Sequence, residues 1–325
     1  MENKTTVAVL RIRREIQKFC QKHSRGLRIL FKFIAGLLLF TTINELYGGS
    51  GGALLITALV LAAICAGLPF KYEYLASIIL TTIHLCQVSW DLVIFYLAAV
   101  LLSYLMIYRM RPEAAVIIAF TPLFFQFKLP FLLPLLVGMF SNMFGVGAMV
   151  FGVVFYYYSV YTKSVVMLLT SATGGENIIA VKNIMNSFSA DEKFLLILAA
   201  FIVAAVFTYL FYHQSFDYAW YLGILAGGLS GFFVYLAGGL LFDIQSRNLG
   251  YVISILGAML AAAAVQFFRC IIDYGSVEYI EFEDDEYYYY VKAVPKVTVV
   301  GEDFTSSGKT IKEHPVRRFT QEEEK

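Results

Sequence analysis

The run AAVIIAFTPLFFQFKLPFLLPLLVGMFSNMFGVGAMVFGVVFYYYSVY, residues 114–161, decides how many times this chain crosses an apolar layer. It contains one charged residue, Lys128, followed closely by Pro130 and Pro134. Because about 20 residues of helix cross the hydrocarbon core of a bilayer, the run is long enough for two spans. We predict spans at 114–133 and 134–161, with the alternative that one half forms a short re-entrant segment.

Composition places the whole chain in a membrane. Of its 325 residues, 59% are hydrophobic and 15% are charged, which is more apolar surface than a soluble domain of this length can bury. Residues 33–268 hold only 17 of the 49 Asp, Glu, Lys and Arg, and the other 32 lie at the two ends. Residues 1–32 hold nine bases against two acids, whereas residues 269–325 hold thirteen acids against eight bases.

The predicted fold class is therefore an all-α polytopic membrane protein with eight or nine transmembrane helices, a small C-terminal β-hairpin and a disordered tail. Apart from the run at 114–161, charge-free runs predict spans at residues 27–46, 53–70, 74–90, 92–108, 194–212, 218–242 and 249–268. Between residues 164 and 193 we predict a linker with an amphipathic interfacial helix at 176–188. The bundle as a whole occupies residues 27–272.

Residues 1–26 form a basic amphipathic segment that we expect on the cytoplasmic side, because Lys and Arg favour cytoplasmic flanks. Such a segment suits acidic lipid head groups; nucleic acid is the alternative, but Phe19 is the one aromatic residue among the bases, so we expect no nucleic-acid partner. A cytoplasmic N-terminus returns Arg109 and Arg111 to the cytoplasmic side. Nine spans would place the C-terminus outside and eight would place it inside, and the basic residues of the tail favour inside.

The C-terminal ribbon EFEDDEYYYYVKAVPKV, residues 281–297, follows directly on the last predicted span. Aromatic and β-branched residues on both sides of an acidic pair predict a β-hairpin at 273–301, and residues 302–325 are typical of a disordered tail. We predict that the hairpin docks a protein partner, with its own loops and the lipid head groups as the alternative surface. The candidate docking residues are Glu283, Asp284, Asp285, Glu286, Tyr287, Tyr288, Tyr289 and Tyr290.

Few residues inside the predicted spans are ionisable, so few are candidates for a functional site. His84 lies well inside a predicted span and Lys128 lies beside the proline breaks; each is a candidate polar site, with helix–helix hydrogen bonding as the alternative for His84. Gly227 and Gly231 have GxxxG spacing, which indicates close helix packing or glycine-broken helices around a solute. The four cysteines have no metal-ligand spacing, and nucleotide-binding and nucleophile motifs are absent, so we expect no enzyme activity, cofactor or metal.

The ribbon and the run FTPLFFQFKLPFLLPLLVGMF, residues 120–140, resemble multispanning membrane proteins of Gram-positive anaerobic bacteria. The resemblance covers about half of the chain and implies a bacterial plasma-membrane location, with no reaction or ligand attached. From the residues themselves we predict a non-enzymatic membrane scaffold or assembly component of a bacterial envelope or secretion process. The alternative is a secondary transporter or permease subunit for a small, weakly charged solute, based on the glycine-rich spans and on Lys128 with its neighbouring prolines.

Overall fold

The structure is a computed structural model that describes residues 12, 15–16, 19–20, 22–47, 51–171, 177–214, 218–242, 248–269, 278–283 and 288–293. Within these ranges the chain forms eleven α-helices and two strands. The helices are α1 (Ser24–Leu46), α2 (Gly52–Gly67), α3 (Lys71–Cys86), α4 (Trp90–Ser103), α5 (Ala115–Gln126), α6 (Leu132–Phe140), α7 (Met143–Ser171), α8 (Asn177–Ala190), α9 (Glu192–Tyr212), α10 (Ala219–Leu241) and α11 (Asn248–Arg269). A π-helical turn, Tyr104–Tyr108, extends α4.

Several sequence predictions lie outside the described residues. They are most of the basic segment at 1–26, the acidic turn at 284–287 and the tail at 302–325. The helix predicted at 176–188 falls on α8.

Six of the described helices are long and apolar enough to cross a membrane: α1, α4 with its π-helical turn, α7, α9, α10 and α11. Large apolar side chains on their outer surfaces are exposed, including Leu240 at 76% and Leu260 at 73%, as expected where lipid replaces water. The remaining helices in the bundle are shorter: α2 and α3 have 16 residues each, α5 has 12 and α6 has 9. Full-length helices therefore account for six of the eight or nine predicted spans.

The single span predicted at 134–161 is wrong. Helix α6 ends at Phe140, Ser141 has an extended backbone (φ −117°, ψ 169°), and α7 starts afresh at Met143. The polar pair Ser141 and Asn142 supplies the break, since such side chains favour turns over helix interiors. Helix α7 then continues to Ser171, ten residues past the predicted end at Tyr161.

The preceding span is also shorter than predicted. Helix α5 ends at Gln126 instead of residue 133, because Lys128 adopts a left-handed backbone with φ 57° that terminates the helix. Pro134 lies in the first turn of α6, where its missing N–H leaves no intrahelical hydrogen bond unmade. The run at 114–161 thus makes three helices where the sequence predicted two.

Contacts between helix ends define two ends of the bundle. At the first end, Lys32 Nζ near the start of α1 donates a hydrogen bond to the carbonyl of Leu68 just past α2, at 2.6 Å. The guanidinium of Arg269, at the end of α11, lies 4.8 Å from the centre of the Phe140 ring, at the end of α6. We call this the basic end, because it also holds Arg28, Lys71 and Arg111.

The opposite end is marked by three hydrogen bonds. Gln126 Nε2, at the end of α5, donates to the Glu45 carboxylate at 2.8 Å, and Lys163 Nζ donates to the Glu45 carbonyl at 3.2 Å. The Tyr161 hydroxyl donates to Asp191, the N-cap of α9, at 2.7 Å. Following the helices between these ends, α5 runs away from the basic end, α6 returns to it and α7 leaves again. The last helix, α11, therefore ends at the end where α1 begins.

The helices pack as two groups joined by α7. One group comprises α1 to α5, with a core that includes Phe40 and Tyr74. The other comprises α6 and α9 to α11, with a core around Phe131 and Phe201. Helix α7 contacts both groups, whereas α5 and α6 contact each other only slightly although they are consecutive. Helix α8 packs on α4 and α7 through the buried Ile184.

After the helices come strands β1 (Glu278–Glu283) and β2 (Tyr288–Ala293), which pair antiparallel. The register places Glu283 opposite Tyr288 and Glu278 opposite Ala293. The two strands contact each other closely, and neither makes an extensive contact with any described helix. Among the described residues, the extensive contacts of each strand are thus with the other strand.

Candidate functional site

A cleft lies between α5 and α6, the two consecutive helices that belong to different packing groups. Its volume is about 360 Å³. Aromatic rings form much of its wall, contributed by Phe120 and Phe124 of α5, Phe140 of α6 and Phe144 of α7. Polar side chains gather where it reaches the basic end: Arg111, Glu113, Ser141 and Asn142. The cleft therefore offers an apolar cavity with both signs of charge at one end.

The local sequence explains why a cleft forms here. Pro122 inside α5 removes one helical hydrogen bond, and the turn after Gln126 redirects the chain. Because α6 has only nine residues, it cannot cover α5 along its whole length. Irregular backbone at membrane depth is tolerated where it is packed in protein or lines a cavity, and both Phe131 and Pro134 at this break are buried.

Lys128, predicted as an intramembrane polar group, does not line this cleft. It lies exposed in the turn between α5 and α6, near the opposite end of the bundle. The neighbouring Gln126 is held to Glu45 by the hydrogen bond described above. The structure therefore places Lys128 at a surface turn.

His84, the other predicted polar group, is buried between α1, α2 and α3. Asn44 Nδ2 donates to the carbonyl of Leu54 at 2.9 Å, so Asn44 Oδ1 is an acceptor and His84 Nε2, 2.8 Å away, donates to it. The His84 ring stacks on Tyr47 with centroids 5.5 Å apart and planes 7° from parallel. His84 thus ties three helices together and lies outside the α5–α6 cleft.

The sequence analysis missed Glu73. This residue is completely buried in the first turn of α3, and neither carboxylate oxygen has a hydrogen-bond partner among the described residues. Lys32 of α1 and the buried Cys65 of α2 lie close enough to Glu73 to interact with it electrostatically. The helical spacing of the sequence could have identified Glu73. It lies eleven residues before His84, which is three helical turns along the same face of α3.

Gly227 and Gly231 lie where α10 crosses α9. A Cβ atom added at Gly227 would lie 2.9 Å from the Ala204 carbonyl and even closer to the Thr208 hydroxyl. At Gly231 it would lie 3.0 Å from the Ala204 Cβ. From the other side, Gly138 of α6 also contacts Thr208, so this fully buried threonine is enclosed by glycines of two helices. The contact is one of close helix packing, remote from the lipid-facing surface.

The candidate docking residues are described only in part. Glu283 ends β1, and Tyr288, Tyr289 and Tyr290 begin β2, whereas residues 284–287 lie outside the described residues. Tyr288 is 75% exposed and Tyr289 is 37% exposed. Tyr288, at the start of β2, thus presents much of its side chain at the surface.

Among the described residues, no group of three His, Cys, Asp or Glu side chains is arranged to hold a metal ion. No protein-family model, no curated protein and no solved structure shows significant similarity to this chain. The six long apolar helices define its class as a multi-pass integral membrane protein.

Proposed function

We propose that this protein is a permease for a small solute with an apolar body and a weakly charged or polar end group. The observation that supports the proposal is the cleft of about 360 Å³ between α5 and α6. Short, proline-bearing helices at the interface of two packing groups are a recurring arrangement at transporter substrate sites. The volume lies at the small end of the range for ligand pockets.

The chemistry of the cleft sets the solute class. Phe120, Phe124 and Phe140 favour an apolar body that stacks or packs against rings. Arg111 and Glu113 at the basic end can pair with a polar group of either sign. A small amphipathic molecule such as an aromatic or branched amino acid fits both requirements.

The packing suggests how the cleft would open and close. Helix α6 packs mainly on α9 and α11 and would move with their group, whereas α5 packs on α1 and α3 of the other group and also on α7. Rocking one group against the other changes the α5–α6 separation without breaking either core. Helix α7, in contact with both groups, is the element about which such a motion would turn.

We propose that the basic end faces the cytoplasm of a bacterial cell. Lys and Arg in short flanking segments favour the cytoplasmic side, and Arg28, Lys32, Lys71 and Arg111 all lie at this end. Since α11 ends here as well, the C-terminal strands belong on the cytoplasmic side in this proposal.

Ligand-dependent stability tests the permease proposal. The full chain in detergent is screened by thermal unfolding against neutral amino acids and small aromatic acids, and we expect a subset to raise the midpoint. Leu136→Phe, which fills the cleft, abolishes that shift, whereas Leu225→Phe on the exposed side of α10 preserves it. Equal shifts in both variants would place binding elsewhere, and no shift with any solute, together with no uptake into proteoliposomes, would reject the proposal.

A membrane scaffold is the second candidate, supported by strands β1 and β2, whose extensive contacts are with each other. A two-stranded ribbon alone is marginally stable in water, so the pair favours a further surface on which to pack. Tyrosine is enriched at interaction hot spots, since it buries a large area while fixing only two side-chain torsions. In this function the ribbon recruits a protein partner and the bundle anchors the complex.

A further inference from the structure

A second cleft, which shares Glu113 and Val116 with the α5–α6 cleft, lies at the basic end between α1, the α2–α3 turn and the start of α5. Its volume is about 810 Å³. Three cations line it, Arg28 and Lys32 of α1 and Lys71 of α3, with Glu113 as the one acid. We propose that this cleft binds the phosphate head group of an anionic phospholipid. The proposal does not depend on the permease function.

Lys32 is held in the cleft by two contacts. Its ammonium donates to the Leu68 carbonyl at 2.6 Å and lies 4.8 Å from the centre of the Phe70 ring. These contacts hold the charge in place while using one of three ammonium donors, so two remain for a phosphate. Arg28 lies one helical turn earlier on the same face of α1 and extends the cationic surface toward solvent.

The net charge of the cleft suits an anion. Three cations against Glu113 leave a formal charge of 3 − 1 = +2. Buried Glu73, on which Lys32 also acts, reduces this to +1 if it is ionised and leaves it unchanged if it is neutral. The cleft is positive in both cases, and a phosphodiester with one negative charge matches it.

The remaining walls favour a lipid over free phosphate. Pro69, Phe70, Pro112 and Val116 supply apolar surface next to the cations. On α1 the neighbouring Phe31 is 65% exposed, which is the surface that acyl chains cover. Arg28 and Lys32 lie near the start of the first apolar span, and in the orientation proposed above this end of the span meets the inner-leaflet phosphates. An amphiphile contacts both surfaces at once, whereas inorganic phosphate contacts only the cations.

Native mass spectrometry of the full chain tests the proposal, with phosphatidylglycerol, phosphatidylcholine and inorganic phosphate as separate probes. The variant Arg28→Gln/Lys71→Gln removes two cations of the cleft and leaves the Lys32–Leu68 hydrogen bond intact. Its matched control is Lys128→Gln/Lys193→Gln, which removes two exposed lysines at the opposite end. Each cation at the membrane surface contributes about five-fold in affinity, so the cleft variant binds phosphatidylglycerol about 25-fold more weakly while the control matches wild type.

Three outcomes would overturn the proposal. Equal loss in the cleft variant and its control would show attraction by overall charge alone. Phosphatidylglycerol binding no tighter than phosphatidylcholine would remove the anionic requirement, and an equal response to inorganic phosphate would identify a free-anion site. Circular dichroism checks that the double variant folds; if it does not, Arg28→Gln and Lys71→Gln singly replace it, and retention of wild-type affinity by both singles also overturns the proposal.

Discussion

His84 Nε2 lies 2.8 Å from Asn44 Oδ1, and this hydrogen bond joins α3 to α1 in the interior of the bundle. Because Asn44 simultaneously donates to the Leu54 carbonyl, the side chain of one residue connects three helices. Both partners are less than 10% exposed, so neither can exchange its hydrogen bond for one to water.

We expect His84→Leu to destabilise the bundle by about 1–2 kcal/mol, because it leaves the Asn44 carbonyl oxygen without a donor. Thermal unfolding in detergent measures the loss. The double variant Asn44→Leu/His84→Leu should lose less than the sum of the two single variants, since each single change already breaks the same bond. Strict additivity would mean that the two side chains do not interact. Loss of solute uptake with stability intact would give His84 a role beyond packing.

The close contact between α10 and α9 predicts that two glycine substitutions in α10 differ in their effect on stability. Gly227→Leu should destabilise the protein by about 1–3 kcal/mol, because the side chain has to displace Thr208 and the Ala204 backbone. Gly239→Leu on the same helix is the control, since a Cβ atom there meets nothing within 4 Å. Both variants are compared by detergent-solubilised yield and unfolding midpoint. A similar loss in both would indicate that helix propensity, and not the contact with α9, sets the effect.

Replacing Glu73 by Leu should stabilise the protein by about 1–3 kcal/mol, since it removes a fully buried carboxyl that has no hydrogen-bond partner among the described residues. Glu192→Leu, which removes an exposed carboxyl in the first turn of α9, serves as the control and should change the midpoint little. If solute uptake falls in Glu73→Leu while stability rises, the carboxyl is retained for function. A large loss of stability would instead show that the carboxyl has a partner, such as a bound ion.

The arrangement of helix ends predicts which sites react from outside the cell. In a cysteine-free background, Ser189→Cys at the opposite end should react with a membrane-impermeant maleimide in intact cells. Arg109→Cys, just past α4, and Ser307→Cys in the tail should react only after the membrane is opened. Labelling of Arg109→Cys and Ser307→Cys from outside, with Ser189→Cys protected, would invert the proposed orientation. Labelling of positions 109 and 307 on opposite sides of the membrane would contradict the return of α11 to the basic end.

The scaffold candidate predicts a partner that depends on one face of the ribbon. Tyr288→Ala/Tyr290→Ala should remove a co-purifying protein while leaving the unfolding midpoint of the bundle unchanged, because β1 and β2 make no extensive contact with the described helices. Tyr287→Ala/Tyr289→Ala reports on the other face and is the matched comparison. Deletion of residues 275–300 should have the same effect as Tyr288→Ala/Tyr290→Ala. A bundle that unfolds on this deletion would show that the ribbon packs on its own helices.

The sequence by itself determined the class of this protein and its long helices. Apolar composition and the crowding of charge at the chain ends require a bilayer, and runs without charge located α1, α4 and α9 to α11 to within a few residues. These features are local: a helix that must bond its own backbone in lipid shows itself by length and hydropathy alone. The basic residues near positions 28–32 and 109–111 likewise identified, from the sequence alone, the basic end of the bundle.

Only the tertiary structure decided the direction of the last helices and the environment of the polar groups. The pair Ser141 and Asn142 is short enough to belong inside an apolar span, and only packing of α6 against α9 and α11 shows that the chain reverses there. That one reversal brings α11 back to the basic end. The burial of Glu73 was equally invisible, because it depends on the packing of α3 against α1 and α5, which are distant in sequence. Hydropathy reports how each residue partitions between water and lipid, but which helices meet is set by contacts between segments far apart along the chain.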